Sequence, residues 1–200
     1  MQFVLASRNQ KKLAELATVL GELGIEIVPL PADAPEPVED GATFEENAQI
    51  KARSAAAFTG LPAIADDSGL CVDALGGAPG IYSARYCAGT DADRNARLLR
   101  EMADVDDRAC RFVCAVACVL PGGELCTVRG ECAGELLREC RGAGGFGYDP
   151  LFYVPDYGCT FGELPPADKN RISHRGRALR ALRQALRDHL TSTTQTGEMI

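Results

Sequence analysis

Ser7-x-Asn9-x-x-Lys12 stands between a short apolar run and a leucine repeat, where a strand would hand over to a helix. Backbone N–H groups at a helix N-terminus carry partial positive charge and point outward, so such a junction can bind phosphate. Ser7 and Asn9 can add side-chain hydrogen bonds and Lys12 a full charge. The glycines of a Walker loop are missing, and Asn9 could equally cap the helix. Asp66-Asp67-Ser68-Gly69 follows the apolar run Pro62–Ala65. Neighbouring strand residues point to opposite faces, so one aspartate can face a site while the other orients backbone or a lysine. Hard carboxylate oxygens suit magnesium, although an Asx-turn into Gly69 would use the same residues.

Gly144-Gly145-Phe146-Gly147-Tyr148-Asp149 is a third candidate, because glycines let backbone approach a ligand and two aromatics beside an acid can stack on a base. The alternative is a strand entrance with core aromatics. Lys169 and Ser173-His174-Arg175-Gly176 form the fourth. His174 and Arg175 lie in the first turn of the last helix, where basic groups oppose the helix dipole. Such local conflict is common at functional sites.

The elements that position these groups follow from periodicity and caps. Phe3–Ala6 reads as a strand, and Leu13, Leu16, Leu20 and Leu23 as a helix closed by Gly24. Ile25–Leu30 is a second strand. Three prolines and four acids between Pro31 and Asp40 make an extended loop. Thr43 and Glu46 have capping-box spacing and open a helix to about Phe58, stopped by Gly60. Pro62–Ala65 is a third strand ending at Asp66, and Asp91–Met102 a helix. Ala109–Leu120 and Glu124–Cys132 make a long hairpin, and the glycine loop enters a strand at Tyr148–Val154. Ser173 caps a last helix whose Leu179, Leu182, Leu186 and Leu190 form a stripe that could serve core or interface. Strands interleaved with helices, plus a hairpin, indicate an α/β protein with a mixed sheet. Residues 1–190 read as one domain and 191–200 as a frayed polar tail.

A net charge of -7 argues against broad nucleic-acid binding. No apolar run is long enough to span a bilayer, and the N-terminus lacks a signal-peptide pattern. Nine cysteines without a C-x-x-C pair fit reduced cytosolic thiols. Cys110, Cys114 and Cys118 share one face of a strand as small core residues. Of 21 basic residues only four are lysines: Lys11, Lys12, Lys51 and Lys169.

Five collinear blocks, SRNQKKLAEL, GATFEENAQIKA, PAIADDSGLCVDALGGAPGIYSARY, GAGGFGYDPLF and ISHRGRAL, resemble the inosine triphosphate pyrophosphatase family, or XTP/dITP diphosphatases. The resemblance implies an elongated mixed β-sheet flanked by helices, with two lobes and a central substrate cleft. It further implies a cytoplasmic, Mg²⁺-dependent homodimer that converts ITP, dITP and XTP to the monophosphate and pyrophosphate. By the same resemblance Ser7, Arg8, Asn9, Gln10, Lys11 and Lys12 form the triphosphate loop, and Asp67 is the general base and a metal carboxylate, with Ser68 beside the substrate. Phe146, Gly147, Tyr148 and Asp149 match the base-binding loop. Lys51, Lys169, His174 and Arg175 match further substrate contacts. Glu39 is the second metal carboxylate, with Glu46 as its rival. Two other readings use the same residues: a Maf-like pyrophosphatase for modified pyrimidines, and a non-catalytic nucleotide sensor.

Overall fold

The computed structural model describes residues 1–197, apart from the side chains of Lys11 and 192–197. In chain order the elements are β1 (Gln2–Leu5), α1 (Gln10–Gly21), β2 (Glu26–Pro29), α2 (Phe44–Thr59), β3 (Ala63–Val72), α3 (Asp91–Glu101), β4 (Ala109–Val119), β5 (Leu125–Leu136), β6 (Phe152–Val154), β7 (Cys159–Thr160), α4 (Pro166–Ile172) and α5 (His174–Gly197). The strands form one open sheet in the order β2-β1-β3-β4-β5-β6-β7. β1 runs parallel to β2 and β3, whereas β6 is antiparallel to β5 and β7, so the sheet is mixed as expected.

The chain divides into two compact units. The first comprises residues 1–67, 115–130 and 177–200; the second comprises 68–114 and 131–176. In the first, Val4 and Ala63 on neighbouring strands pack with Ala55 of α2. Ala48, Ala52 and Ala55 recur at helical spacing and are all buried, beside the buried side chains of Phe44 and Asn47 on the same helix. Leu179, Leu182 and Leu186 of α5 are buried in this unit, which assigns these three leucines of the stripe to the core, while Leu190 is half-buried. In the second unit Phe112, Phe152 and Phe161 form a cluster with centroids 4.7–5.8 Å apart. Each large side chain so buried contributes about 1.5–3 kcal/mol relative to leaving it exposed.

The two end caps of α2 act as read from the sequence, whereas the reciprocal half of the capping box is shifted by one residue, Glu46 accepting the Ala42 N–H rather than that of Thr43. Thr43 accepts the Glu46 N–H at 3.1 Å, and Gly60 ends α2 in the left-handed region at φ 69°. Three strands differ from expectation, β5 by running four residues past Cys132 to Leu136. β3 does not stop at Asp66 but continues to Val72, because Leu70–Val72 is a second buried apolar run and lysines neutralise both aspartates on the way. The strand expected from Tyr148 begins only at Phe152, since residues 148–151 are consumed by turns such as Leu151 N–H to the Tyr148 carbonyl at 3.0 Å. α5 runs as backbone helix to Gly197 through most of the segment read as a tail, and residues 198–200 lie outside the described part. Cys110, Cys114 and Cys118 are buried, and burial pushes the Cys110 thiol up to about 12.

Candidate active site

The first unit gathers its chemistry around two lysine-bound carboxylates. Asp66 and Asp67 project to opposite sides of β3, as strand geometry requires. Lys12 donates to both oxygens of Asp66, at 2.7 and 2.8 Å. Lys51 donates to Asp67 Oδ1 at 3.0 Å and to Glu39 Oε2 at 3.3 Å, so two acids from distant segments converge on one ammonium. Burial pulls the Lys51 pKa down, but the charge and hydrogen bond of Asp67, and then Glu39, outweigh it and hold Lys51 above its usual value. Burial pushes the Asp67 carboxyl above the usual range; Lys51 opposes this and the Glu39 charge adds to it. An acid held up in this way is better matched to accepting a proton near neutrality.

Asn47, which the sequence reading missed, ties the arrangement together. Its side chain is fully buried. It accepts the Gly41 N–H at 3.0 Å and donates to Asp67 Oδ2 at 3.4 Å, linking the end of the acidic loop to the carboxylate. The available signal was its spacing, four residues before Lys51 on one helix face. Glu46 instead spends its carboxylate on the Ala42 N–H at 2.6 Å, a capping job that leaves Glu39 as the acid beside Asp67. A Cβ at Gly41 would come within 2.7 Å of both Asn47 Oδ1 and Glu46 Cβ. Gly41→Ala should therefore cost about 1–3 kcal/mol and lower activity by displacing Asn47. A thermal melt unchanged from the parent would show that this junction yields freely.

The triphosphate loop candidates divide. Ser7 Oγ accepts the Asn9 N–H at 3.2 Å, and Asn9 Oδ1 accepts the Lys12 N–H at 3.4 Å, so both shape the entry to α1. Gln10 opens α1 and is exposed, while the Lys11 side chain lies outside the described residues. Arg8 turns to the acidic loop, donating to Glu36 Oε1 at 3.0 Å and to the carbonyls of Ala32 and Ala34 at 3.3 and 3.1 Å. It thus anchors the segment that delivers Glu39. Ser7, Arg8, Glu36, Glu39, Lys51 and Ser54 line a cavity of about 280 Å³.

The second unit holds the other candidates. Phe146 is 55% exposed, with Lys169 Nζ 4.7 Å and Arg175 Cζ 5.6 Å from its ring centroid. An open aromatic face flanked by cations is a platform for a π-system. Asp149 is 2% exposed, accepts the Phe146 N–H at 2.8 Å and pairs with Lys169. A Cβ at Gly145 would fall 2.1 Å from Asp149 Oδ2, which fixes glycine there. Tyr148 is buried; its hydroxyl donates to the Ser83 carbonyl at 2.9 Å, and burial holds its pKa well above the usual tyrosine value. His174 stacks on Phe112 at 4.7 Å, and Ser173 Oγ accepts the Gly176 N–H at 3.2 Å. Ser68, Phe146, Tyr148, Asp149 and His174 line a cavity of about 160 Å³, together with Arg94, which sequence reasoning did not single out.

Residues 3–185 match the Ham1 family. A dITP/XTP pyrophosphatase of Symbiobacterium thermophilum is 54% identical over 180 residues, covering 89% of this chain and 91% of its own. One from Nocardia farcinica is 56% identical over 193 residues, covering 92% and 93%. The structure of a HAM1 protein from Coxiella burnetii superposes with a TM-score of 0.90 at 46% identity, over 94% of this chain and 99% of that one. Matched over nearly its whole length in both sequence and structure, the chain belongs to the Ham1 family.

Proposed function

We propose that this protein is a nucleoside triphosphate pyrophosphohydrolase that converts dITP, XTP and ITP to the monophosphate and pyrophosphate. The convergence of Asp67 and Glu39 on Lys51 is the observation that carries the chemistry. The names of the relatives carry the substrate class. Asp67 takes a proton from water, the water oxygen bonds to the α-phosphorus, and the bond to the bridging oxygen breaks to release pyrophosphate. Lys51 holds Asp67 in place through that transfer, and Lys12 does the same for Asp66.

Among the described residues no three His, Cys, Asp or Glu side chains gather as a metal site. Two carboxylates that already share one cation do fit magnesium, which is commonly held by one or two acids plus waters and phosphate oxygens. Asp67 and Glu39 would hold it. When bound, it would neutralise charge on the phosphate oxygens.

In the second unit Phe146 stacks on the purine, and His174 and Arg175 donate to its 6-oxo group. Adenine would set an amino group against those donors, an unpaired contact costing about 1–3 kcal/mol. This reading keeps the enzyme in the cytoplasm as a homodimer; none of the described helices is long and apolar enough to cross a membrane. A panel of XTP, ITP, dITP, GTP, ATP and modified UTP tests it. Pyrophosphate should appear with the first three, and chelation should abolish turnover until Mg²⁺ is restored. Orthophosphate with diphosphate as products would overturn attack at the α-phosphorus, and turnover confined to the modified pyrimidine would overturn the substrate class. Binding of XTP with no turnover in Mg²⁺ would make the protein a sensor instead.

A further inference from the structure

Gly147 is held at both its backbone polar groups by one helix that lies more than fifty residues earlier in the chain. Its N–H donates to Asp91 Oδ2 at 2.6 Å, and its carbonyl accepts from Asn95 Nδ2 at 3.0 Å. Asp91 and Asn95 are four apart, so α3 presents both from the same face. Asn95 is 5% exposed, and burying an amide is costly unless it forms hydrogen bonds, as its donor does here. Asp91 is not occupied with capping its own helix. Thr90 and Asp93 already form the capping box of α3, with Thr90 N–H to Asp93 Oδ2 at 2.7 Å and Asp93 N–H to Thr90 Oγ1 at 3.3 Å. The second oxygen of Asp91 accepts from Arg94 at 2.5 Å, which orients the carboxylate.

What the pair grips is a permissive point of the loop. Gly147 sits at φ +60°, in the left-handed region that glycine enters without penalty and leaves as easily. On one side of it stands the exposed ring of Phe146 and on the other the buried ring of Tyr148. The Phe146 N–H is engaged within the loop by Asp149, whose carboxylate also closes over Gly145, 2.1 Å from where a Cβ would stand, so the freedom on the other side of Phe146 lies at Gly147. An aromatic platform that moved with that freedom would lose entropy each time it met a base.

We propose that Asp91 and Asn95 are positioning residues: they fix the backbone of Gly147 so that Phe146 is presented in its base-stacking orientation before substrate arrives. This rests on the reading of residues 144–149 as the base-binding loop. The pair therefore sets KM for purine triphosphates, whereas the proton transfer at Asp67 sets kcat.

The test combines amide exchange with kinetics on the full-length protein. In Asp91→Ala the Gly147 amide should exchange at least about tenfold faster, while the Phe146 amide, bonded to Asp149, keeps its protection. KM for XTP should rise about tenfold with kcat within about twofold. Asp91→Asn retains an acceptor for the Gly147 N–H and should recover part of both effects, and it serves if the alanine variant folds poorly. Asn95→Asp, which sets an acceptor against the Gly147 carbonyl, should raise KM in the same way. Unchanged Gly147 exchange in Asp91→Ala overturns the inference. So does faster exchange with unchanged KM where Phe146→Ala still raises KM. If Phe146→Ala also leaves KM unchanged, the base-loop reading itself fails and takes the inference with it.

Discussion

Asp67→Asn is expected to lower kcat by about 10²- to 10⁴-fold, the usual contribution of a positioned general base, with XTP still bound. The expectation follows from the wiring of that carboxylate. Oδ1 accepts from Lys51 at 3.0 Å and Oδ2 from Asn47 at 3.4 Å. An asparagine can offer its oxygen to Lys51, but its amino group then faces the amino group of Asn47. Proton acceptance is lost, while the positive charge of Lys51 and the acidic loop that carries Glu39 stay in place. Steady-state kinetics alongside equilibrium binding of XTP to the variant separate the two roles. A fall in kcat of less than tenfold would remove Asp67 as the base. Loss of binding to the same extent as turnover would make it a binding residue instead.

Lys169→Met is expected to have the largest effect on stability, about 3–5 kcal/mol, because it strands a buried carboxylate. Asp149 is 2% exposed and Lys169 13% exposed at the side chain, so little solvent is at hand to replace the lost ammonium. The Phe146 N–H would be the remaining partner of Asp149 Oδ2, at 2.8 Å. The platform suffers as well, because Lys169 Nζ sits 4.7 Å from the Phe146 centroid. Denaturant unfolding of Lys169→Met, Asp149→Asn and the double variant closes a cycle that isolates the pair. The double variant should be more stable than Lys169→Met alone. If Lys169→Met melts with the parent, Asp149 does not depend on this lysine and the loop is organised by its backbone.

Some of this arrangement was readable before the fold was known. The alternation of side chains along a strand placed Asp66 and Asp67 on opposite faces, and they indeed take different lysines, Lys12 and Lys51. The spacing of Thr43, Glu46 and Gly60 bounded α2 to within a residue at each end. The capping-box spacing of Thr43 and Glu46 marks Glu46 as an acid that its own helix occupies, and Glu46 does hold a backbone N–H, that of Ala42. These are local statements, governed by a few residues of backbone and its period.

Other features were invisible in the sequence because they join segments that no period relates. β3 ran on through Asp66–Ser68 because the buried run Leu70–Val72 and two lysines from other elements outweighed the poor strand propensity of aspartate. Arg8 carries a charge that suits phosphate, and the fold also sets its guanidinium against Glu36 and the carbonyls of Ala32 and Ala34 while it lines the cavity. Tyr148 lines the cavity beside Phe146, and its hydroxyl reaches the Ser83 carbonyl, a partner that no local pattern indicates. Asp91 and Asn95 reach Gly147 across 56 and 52 residues, a contact that exists only once the chain has closed that loop. Four of the five helices, the Thr43 and Gly60 caps of α2, the opposed faces of the aspartate pair and, through five collinear blocks, the family were legible in the amino-acid sequence, whereas α4 was not. Which partner each polar group meets depends on the closed fold, because a buried donor or acceptor takes whichever group the packing brings within hydrogen-bond reach.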